Sequence, residues 1–151
     1  MMDRPIVATA RGHEFLPHTA DAGLRAWAPD LPALFEEAAA ALGELSADVA
    51  PHAPSGIAQR IDLAAGDLPG LAFGWLGELI GLVDVRGAIA GTSVDELARE
   101  GGQWRLQAWV TLLPFGGATV RRRADVKAPT YHRLAVEQTE GGWSMTAYLD
   151  I

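Results

Sequence analysis

Residues 22–45 read AGLRAWAPDLPALFEEAAAALGEL. Within this stretch the spacing of the apolar residues changes from every second residue to the spacing of a helix, and this change predicts the fold class. From residue 22 to 28, Ala22, Leu24 and Ala26 alternate with Arg25 and Trp27, which is typical of a half-exposed strand. Asp-Leu-Pro at 30–32 then starts a helix, because Asp can cap it and Pro is tolerated in the first turn, where no internal donor is needed. The apolar stripe of this helix recurs at helical spacing as Leu34, Phe35, Ala38, Leu42 and Leu45.

A second strand and helix follow the loop Pro51–Gly56. Residues 57–63 alternate as a strand, and Asp-Leu-Pro recurs at 67–69. Residues 71–83 are apolar on most sides, so this second helix is predicted to be largely buried. The repeated start suggests an internal duplication, but Asp-x-Pro is a common helix opening, and we prefer that simpler interpretation.

The rest of the chain is rich in strand patterns. Residues 104–112 hold strict period two, and residues 131–136 and 143–150 alternate as two further strands. Glu140-Gly141-Gly142 predicts a hairpin between these two, and Gly116-Gly117 marks another turn. The sequence therefore predicts an α+β fold, one domain over residues 1–151, in which mainly antiparallel β-sheet is flanked by two α-helices.

Composition excludes several classes of function. The chain has no cysteine, so disulfides and thiolate chemistry are excluded, and a reducing cytoplasm is the expected location. No apolar run approaches a membrane span, and the start Met1–Pro5 lacks the layout of a signal peptide, so no membrane association is expected. A net charge of −7 argues against stable direct nucleic-acid binding, and the cluster Arg121–Arg123 is too short to change that.

The most informative charges stand at the end of the chain. Asp150 is next to the α-carboxylate of Ile151, and Asp21 lies far upstream in a polar break. Two like charges about 4 Å apart cost roughly 4 kcal/mol at an effective dielectric constant near 20. If the fold brings these three anionic groups together, the cluster requires a cation. Taken separately, the two aspartates have ordinary roles, Asp150 as a solvated carboxylate and Asp21 in a turn.

Oxygen-only ligands favour Ca²⁺, Mg²⁺ or Mn²⁺ over zinc, with Ca²⁺ favoured in isolation. Three carboxylates fall short of the six to eight oxygens that Ca²⁺ takes, so water or a partner must complete the shell. His18 is a further candidate ligand or proton carrier, although orienting a neighbouring group is the preferred interpretation. Glu78 shares a helix face with Trp75, and its side chain either joins the polar cluster or reaches solvent.

The segment Val126–His132 is dense in hydrogen-bonding groups at the predicted entrance to a strand. Lys127 can neutralise the acidic cluster or meet an acidic partner, whereas Tyr131 and His132 fit ordinary strand positions with polar tips. The chain has no nucleophile elbow, phosphate-binding loop, dinucleotide fingerprint or His-Glu-x-x-His motif. The sequence names no nucleophile and base, so it predicts no enzyme.

These segments together resemble the archease family, in the order Glu14–Trp27, Trp75–Leu79, Val126–His132 and Asp150–Ile151. The resemblance implies a sheet flanked by two helices and a non-enzymatic protein cofactor of the RtcB-type RNA ligase. That ligase uses GTP and Mn²⁺ to join RNA ends in tRNA splicing and RNA repair, and archeases promote its guanylylation and repeated turnover.

Residue by residue, the resemblance places the metal ligands of the family on Asp21, Asp150 and Ile151. The chain departs from the family pattern at Gly77, where Asn is usual, and at Pro129, where Val is usual. A metal-dependent hydrolase that uses the same carboxylates to activate water is the alternative from another class. A chaperone or interaction module for other RNA-modifying enzymes is the third hypothesis.

Overall fold

The computed structural model describes residues 10–17 and 21–151, so His18 lies outside the described residues. Strands and helices alternate along the described chain in this order: β1 Gly12–Leu16, β2 Asp21–Ala28, α1 Leu31–Ser46, β3 Ala47–Val49, β4 Ile57–Ala65, α2 Leu68–Arg86, β5 Ala88–Glu100, β6 Gln103–Leu113, β7 Val120–Arg122, β8 Ala128–Pro129, β9 Ala135–Thr139 and β10 Gly142–Asp150.

The strands form three antiparallel sheets. A five-stranded sheet has the order β1-β2-β10-β8, with β9 also paired to β10. A three-stranded sheet has the order β4-β6-β5, and β3 pairs with β7 in a small third sheet. The predicted α+β fold with two helices and mainly antiparallel strands is confirmed. The strands are divided among several sheets: β2 and β10 pair with each other, whereas β4 and β5 both pair with β6.

Both helices start where the sequence predicts. Asp30 caps α1 by accepting a hydrogen bond from Ala33 N at 2.9 Å, and Asp67 caps α2 through Gly70 N at 2.8 Å. Each cap residue has extended backbone, and each helix has Pro in its first turn. Capping of this kind satisfies amide groups that have no partner inside the helix. Helix capping accounts for the occurrence of Asp-Leu-Pro at both helix starts.

One core joins the two helices to both large sheets. Trp75 of α2 is fully buried, and its Nε1 donates to the carbonyl of Phe35 in α1 at 2.9 Å. The sheets contribute the inward residues of β2, β6 and β10, and all of the following are buried: Leu24, Ala26, Leu106, Ala108, Val110, Leu112, Met145, Ala147 and Leu149. The predicted stripe of α1 is also buried, except that Leu45 is only partly covered.

Helix α2 is buried along one side, whereas its apolar sequence predicted burial on most sides, and Glu78 and Gly81 are exposed. By length and composition alone it is long and apolar enough to cross a membrane, with 19 residues and a mean hydropathy of 1.4. The expectation that no apolar run reaches that length is therefore wrong for α2. The core helix of a soluble protein passes the same test, and this helix packs the following residues into the core: Leu71, Ala72, Trp75, Leu76, Leu79, Ile80 and Val83.

Several strand boundaries differ from the predicted ones. The alternation from Tyr131 predicts a strand that is not there, because residues 131–134 form a turn in which Leu134 N donates to Tyr131 O at 3.2 Å. Arg133 has a φ of 55° in this turn, and β9 begins only at Ala135. Five strands were also missed, namely β1, β3, β5, β7 and β8. β3, β7 and β8 have only two or three residues each, β1 is a short, partly exposed edge, and two register shifts break the alternation of β5.

Ion pairs and hydrogen bonds connect Arg11 and His13 to Glu37 of α1. Glu37 accepts a hydrogen bond from Arg11 Nε at 2.9 Å and lies 2.5 Å from His13 Nδ1. Burial raises the pKa of the Glu37 carboxyl, but the hydrogen bonds to His13 and Arg11 outweigh burial and hold that pKa below its ordinary value. The ionised carboxylate is therefore bound more favourably in the folded protein than in the unfolded chain.

We expect Glu37→Gln to remove a contribution of about 1 kcal/mol to the free energy of unfolding at neutral pH. Because the folded pKa is lowered, this contribution is complete above the ordinary value of 4.5 and disappears as the pH falls through the folded pKa. Thermal melts from pH 7 to pH 3 should therefore show the two proteins converging only below pH 4.5. Glu137→Gln, at an exposed position of β9, is the control. A constant gap across the whole range would contradict the assignment.

Candidate metal centre

The structure places Asp21 directly opposite Asp150. Asp21 is the first residue of β2 and Asp150 is the last residue of β10, and the register of this antiparallel pair aligns the two. Residues directly opposite in such a pair have Cβ atoms about 4.5–5.5 Å apart. Two carboxylates from opposite ends of the described chain thus lie side by side at one end of the sheet.

The carboxylate pair is accessible. Asp150 is exposed, Asp21 is half-buried, and Ile151, which follows β10, is 50% exposed. Among the described residues no group of three or more His, Asp or Glu side chains is arranged to hold a metal ion. A metal at this point would take the two side-chain carboxylates, and the α-carboxylate of Ile151 is the further donor that the family resemblance implies.

Strand β8 holds the end of β10 from the other side. Lys127 N donates to the main-chain oxygen of Asp150 at 2.8 Å, and Ala128 is in register with Asp150. Both the amide and the hydroxyl of Thr130 donate to Tyr148 O at 3.0 Å. The main chain that carries Asp150 is therefore fixed by hydrogen bonds on both edges, while the Lys127 side chain stays exposed. A site on a strand fixed in this way is preorganised.

The aromatic ring of Tyr148 covers the outer face of the sheet beside the carboxylates. Tyr148 is 6% exposed, and its ring lies over Gly23, where an added Cβ would stand 2.6 Å from Tyr148 Cε1. The same Cβ would be 3.0 Å from Leu16 Cβ. His132 packs its ring against that of Tyr148 at a centroid distance of 5.7 Å. A side chain at position 23 would therefore force the Tyr148 ring to move.

The structure separates Glu78 from Trp75. Trp75 is fully buried and Glu78 is exposed, so of the two alternatives for Glu78 the structure shows the solvent-exposed one. Positions three apart lie about 60° apart around a helix axis, which is enough to put one in the core and the other at its boundary. Neighbouring Gly77 faces Pro129 of β8, where an added Cβ would stand 3.7 Å from Pro129 Cγ.

Sequence reasoning missed the exposed ring of Tyr131. It stacks on Phe73 with centroids 4.0 Å apart and planes 6° apart, yet Tyr131 remains 64% exposed. It directly follows Thr130, which is hydrogen-bonded to β10 near the carboxylates. In the sequence, Tyr131 fits the alternation of a predicted strand. Its exposure could not be predicted, because that alternation gives no sign of the turn in which Tyr131 lies.

Comparison with known proteins identifies the family. The model of the archease protein family (MTH1598/TM1083) matches residues 13–151. A protein archease of Methanosarcina mazei is 30% identical over 141 residues, which cover 92% of this chain and 95% of that protein. One from Saccharolobus islandicus is 33% identical over 146 residues, covering 93% and 99%. The solution structure of Methanobacterium thermoautotrophicum protein 1598 has a TM-score of 0.78 and 26% identity, covering 93% and 99%. Since the family model spans almost the whole chain and the fold agrees, this protein belongs to the archease family.

Proposed function

We propose that this protein is a non-enzymatic, metal-binding activator of an RtcB-type RNA ligase, which promotes guanylylation of the ligase and its repeated turnover in tRNA splicing and RNA repair. Membership of the archease family supports the role of a protein cofactor. The single observation that carries the proposal is the direct opposition of Asp21 and Asp150 at an accessible end of the sheet.

The donor chemistry of this site fits a hard divalent cation. The carboxylates of Asp21 and Asp150 and the main-chain carboxylate of Ile151 would hold it, and all are oxygen donors. Ca²⁺ is the ion favoured in isolation, with Mg²⁺ and Mn²⁺ as the other candidates. A bound ion would neutralise the opposed charges of Asp21 and Asp150, and water or groups of a partner would complete its coordination shell. The protein's own residues hold the ion on a strand end that β2 and β8 fix.

The surroundings of the carboxylates favour a protein partner. The ring of Tyr131 and the side chain of Ile151 are exposed apolar surfaces in the segments that flank Asp150. Exposed aromatic side chains held in place are the usual anchors of protein interfaces. The net charge of −7 complements a basic protein surface and opposes direct binding to RNA phosphates. A ligase that itself handles RNA is therefore the partner that this surface fits better than RNA alone.

The functional test combines metal binding with ligase activation. Asp21→Asn and Asp150→Asn keep the shape of each side chain and remove one charge, so each should lower calcium affinity at least about tenfold by calorimetry. Both should also lose stimulation of ligase guanylylation in single-turnover assays with GTP and Mn²⁺. Asp95→Asn, an exposed aspartate of β5 in the other sheet, is the matched control and should behave as wild type. Undiminished activation by Asp150→Asn would exclude the site. Phosphoesterase activity of the isolated protein, lost in the same variant, would favour the hydrolase.

The terminus provides a second prediction. Extending the chain beyond Ile151 converts its carboxylate into a neutral amide carbonyl, which removes one charge from the site. We expect a C-terminal tag to impair calcium binding and ligase activation, whereas a tag before Met1 should leave both unchanged. Deleting Ile151 keeps a terminal carboxylate but shifts it by one residue, which coordination does not tolerate. It should be equally defective with an unchanged circular dichroism spectrum. Full activity of the C-terminally tagged protein would remove the terminus from the site.

The partner surface provides a third prediction. Tyr131→Ala removes an exposed ring and should weaken the complex with the ligase about tenfold or more, which corresponds to roughly 1.4 kcal/mol. Calcium affinity should stay unchanged, because the Tyr131 side chain is not a proposed ligand. Tyr131→Phe retains the stacked ring and serves as control. Titrating ligase turnover against activator concentration measures the effect. An unchanged half-saturating concentration for Tyr131→Ala would place the interface elsewhere.

A further inference from the structure

The two edges of the sheet β4-β6-β5 are built differently. β5 is protected, because its register against β6 shifts between Ile89 and Gly91 and again between Val94 and Glu96. Val94 N, moreover, donates to Glu36 Oε2 of α1 at 2.8 Å, so a helix side chain occupies a main-chain donor. Bulges and side-chain caps of this kind prevent an edge from pairing with another chain.

β4 has none of this protection in the part of the chain that the structure describes. Its nine residues, Ile57–Ala65, pair with β6 in continuous register without a bulge, and they contain neither Pro nor Lys. Within residues 10–17 and 21–151 no strand pairs with its other edge. A long, regular and unblocked edge is a template for another strand.

The charges of β4 favour a second copy of the same strand. Arg60 and Asp62 stand on either side of Ile61, on the exposed face, with Arg60 Nε 3.5 Å from Asp62 Oδ2. In an antiparallel pair of two β4 strands centred on Ile61, Arg60 of each copy is directly opposite Asp62 of the partner subunit. Ala58 then faces Ala64 of the partner subunit, so small residues meet on the same face. Opposite charges directly across an antiparallel pair are stabilising.

Other self-pairings are unfavourable. Centring the pair on Arg60 places two arginines face to face, and centring it on Asp62 does the same with two aspartates. Like charges in that position are destabilising. A shift by a single residue would align the exposed face of one strand with the buried face of the other, because side chains alternate with period two. Among the registers centred on Arg60, Ile61 or Asp62, only the one about Ile61 places opposite charges across from each other and keeps the exposed faces of both strands on the same side.

We infer that two copies of this protein pair through their β4 edges, antiparallel about Ile61, and form a two-fold symmetric dimer with one continuous sheet. The contact is isologous and closed, so it ends at two copies. Asp21 and Asp150 lie in the other large sheet, so neither residue belongs to the pairing edge. A single strand edge is small beside the roughly 1,000 Å² that stable interfaces bury, so we expect a reversible dimer at micromolar or higher concentrations.

Sedimentation velocity of the full chain over a wide concentration range tests this inference. Arg60→Asp and Asp62→Arg each place like charges across the two-fold axis and should raise the dissociation constant at least tenfold. Mixing the two variants should restore dimers, because two aspartates then face two arginines. The double swap R60D/D62R should also associate as wild type does. Glu96→Arg makes the same change of charge on the protected edge β5 and is the control. Circular dichroism of each variant verifies folding.

Several results would overturn the inference. A wild type that stays monomeric at all concentrations would do so, as would single variants that dimerise as tightly as wild type, which would place the contact on another surface. Mixed variants that remain monomeric would refute the register about Ile61. Binding of an extended foreign peptide by a monomeric wild type, lost in Asp62→Arg, would assign the edge to a different partner. Dimerisation of the wild type, its loss in the single variants and its restoration in the mixture and the double swap together support the proposed pairing.

Discussion

The central position of β10 in its sheet is the constraint on which the rest of the structure depends. β10 pairs with β2 on one edge and with β8 and β9 on the other. Its inward residues Met145, Ala147 and Leu149 are fully buried in the core. The alternation that buries Leu149 places Asp150 outward. Truncation of Leu149 to Ala would remove packing worth about 2–5 kcal/mol at the residue directly before Asp150.

Local signals account for what the sequence predicts correctly. The starts of both helices were predictable because each cap is a contact between residues three apart, Asp30 with Ala33 and Asp67 with Gly70. The period-two strand β6 was predictable because its buried and exposed residues alternate without interruption. The turn at residues 131–134 was not, since its direction depends on the positive φ of Arg133 and on stacking of Tyr131, neither of which alters the alternation. β5 was missed because its two register shifts break the pattern.

The proximity of Asp21 and Asp150 could not be predicted from local signals. No spacing along the chain relates Asp21 to Asp150, so charge and family resemblance suggested their proximity, and only the register of β2 with β10 places them opposite each other. The two departures from the family pattern illustrate the same limit. Gly77 and Pro129 are distant in sequence, yet the proline ring lies in ordinary van der Waals contact with the space that a side chain at position 77 would enter. Positions 77 and 129 thus lie next to each other between α2 and β8.

The charge pattern of the strands sets the Asp21–Asp150 pair apart from the other strand pairs. Elsewhere, charged residues directly opposite each other have opposite sign, as with Glu14 and Arg25 between β1 and β2 and Asp48 and Arg121 between β3 and β7. Among the described strand pairs, only β2 and β10 oppose two like charges. Such opposition destabilises a strand pair by roughly 0.2–1 kcal/mol, and a neutral residue at either position would relieve it. A local conflict in an otherwise consistent structure is characteristic of a functional site, and this one supports the proposal of a cation site at these two residues.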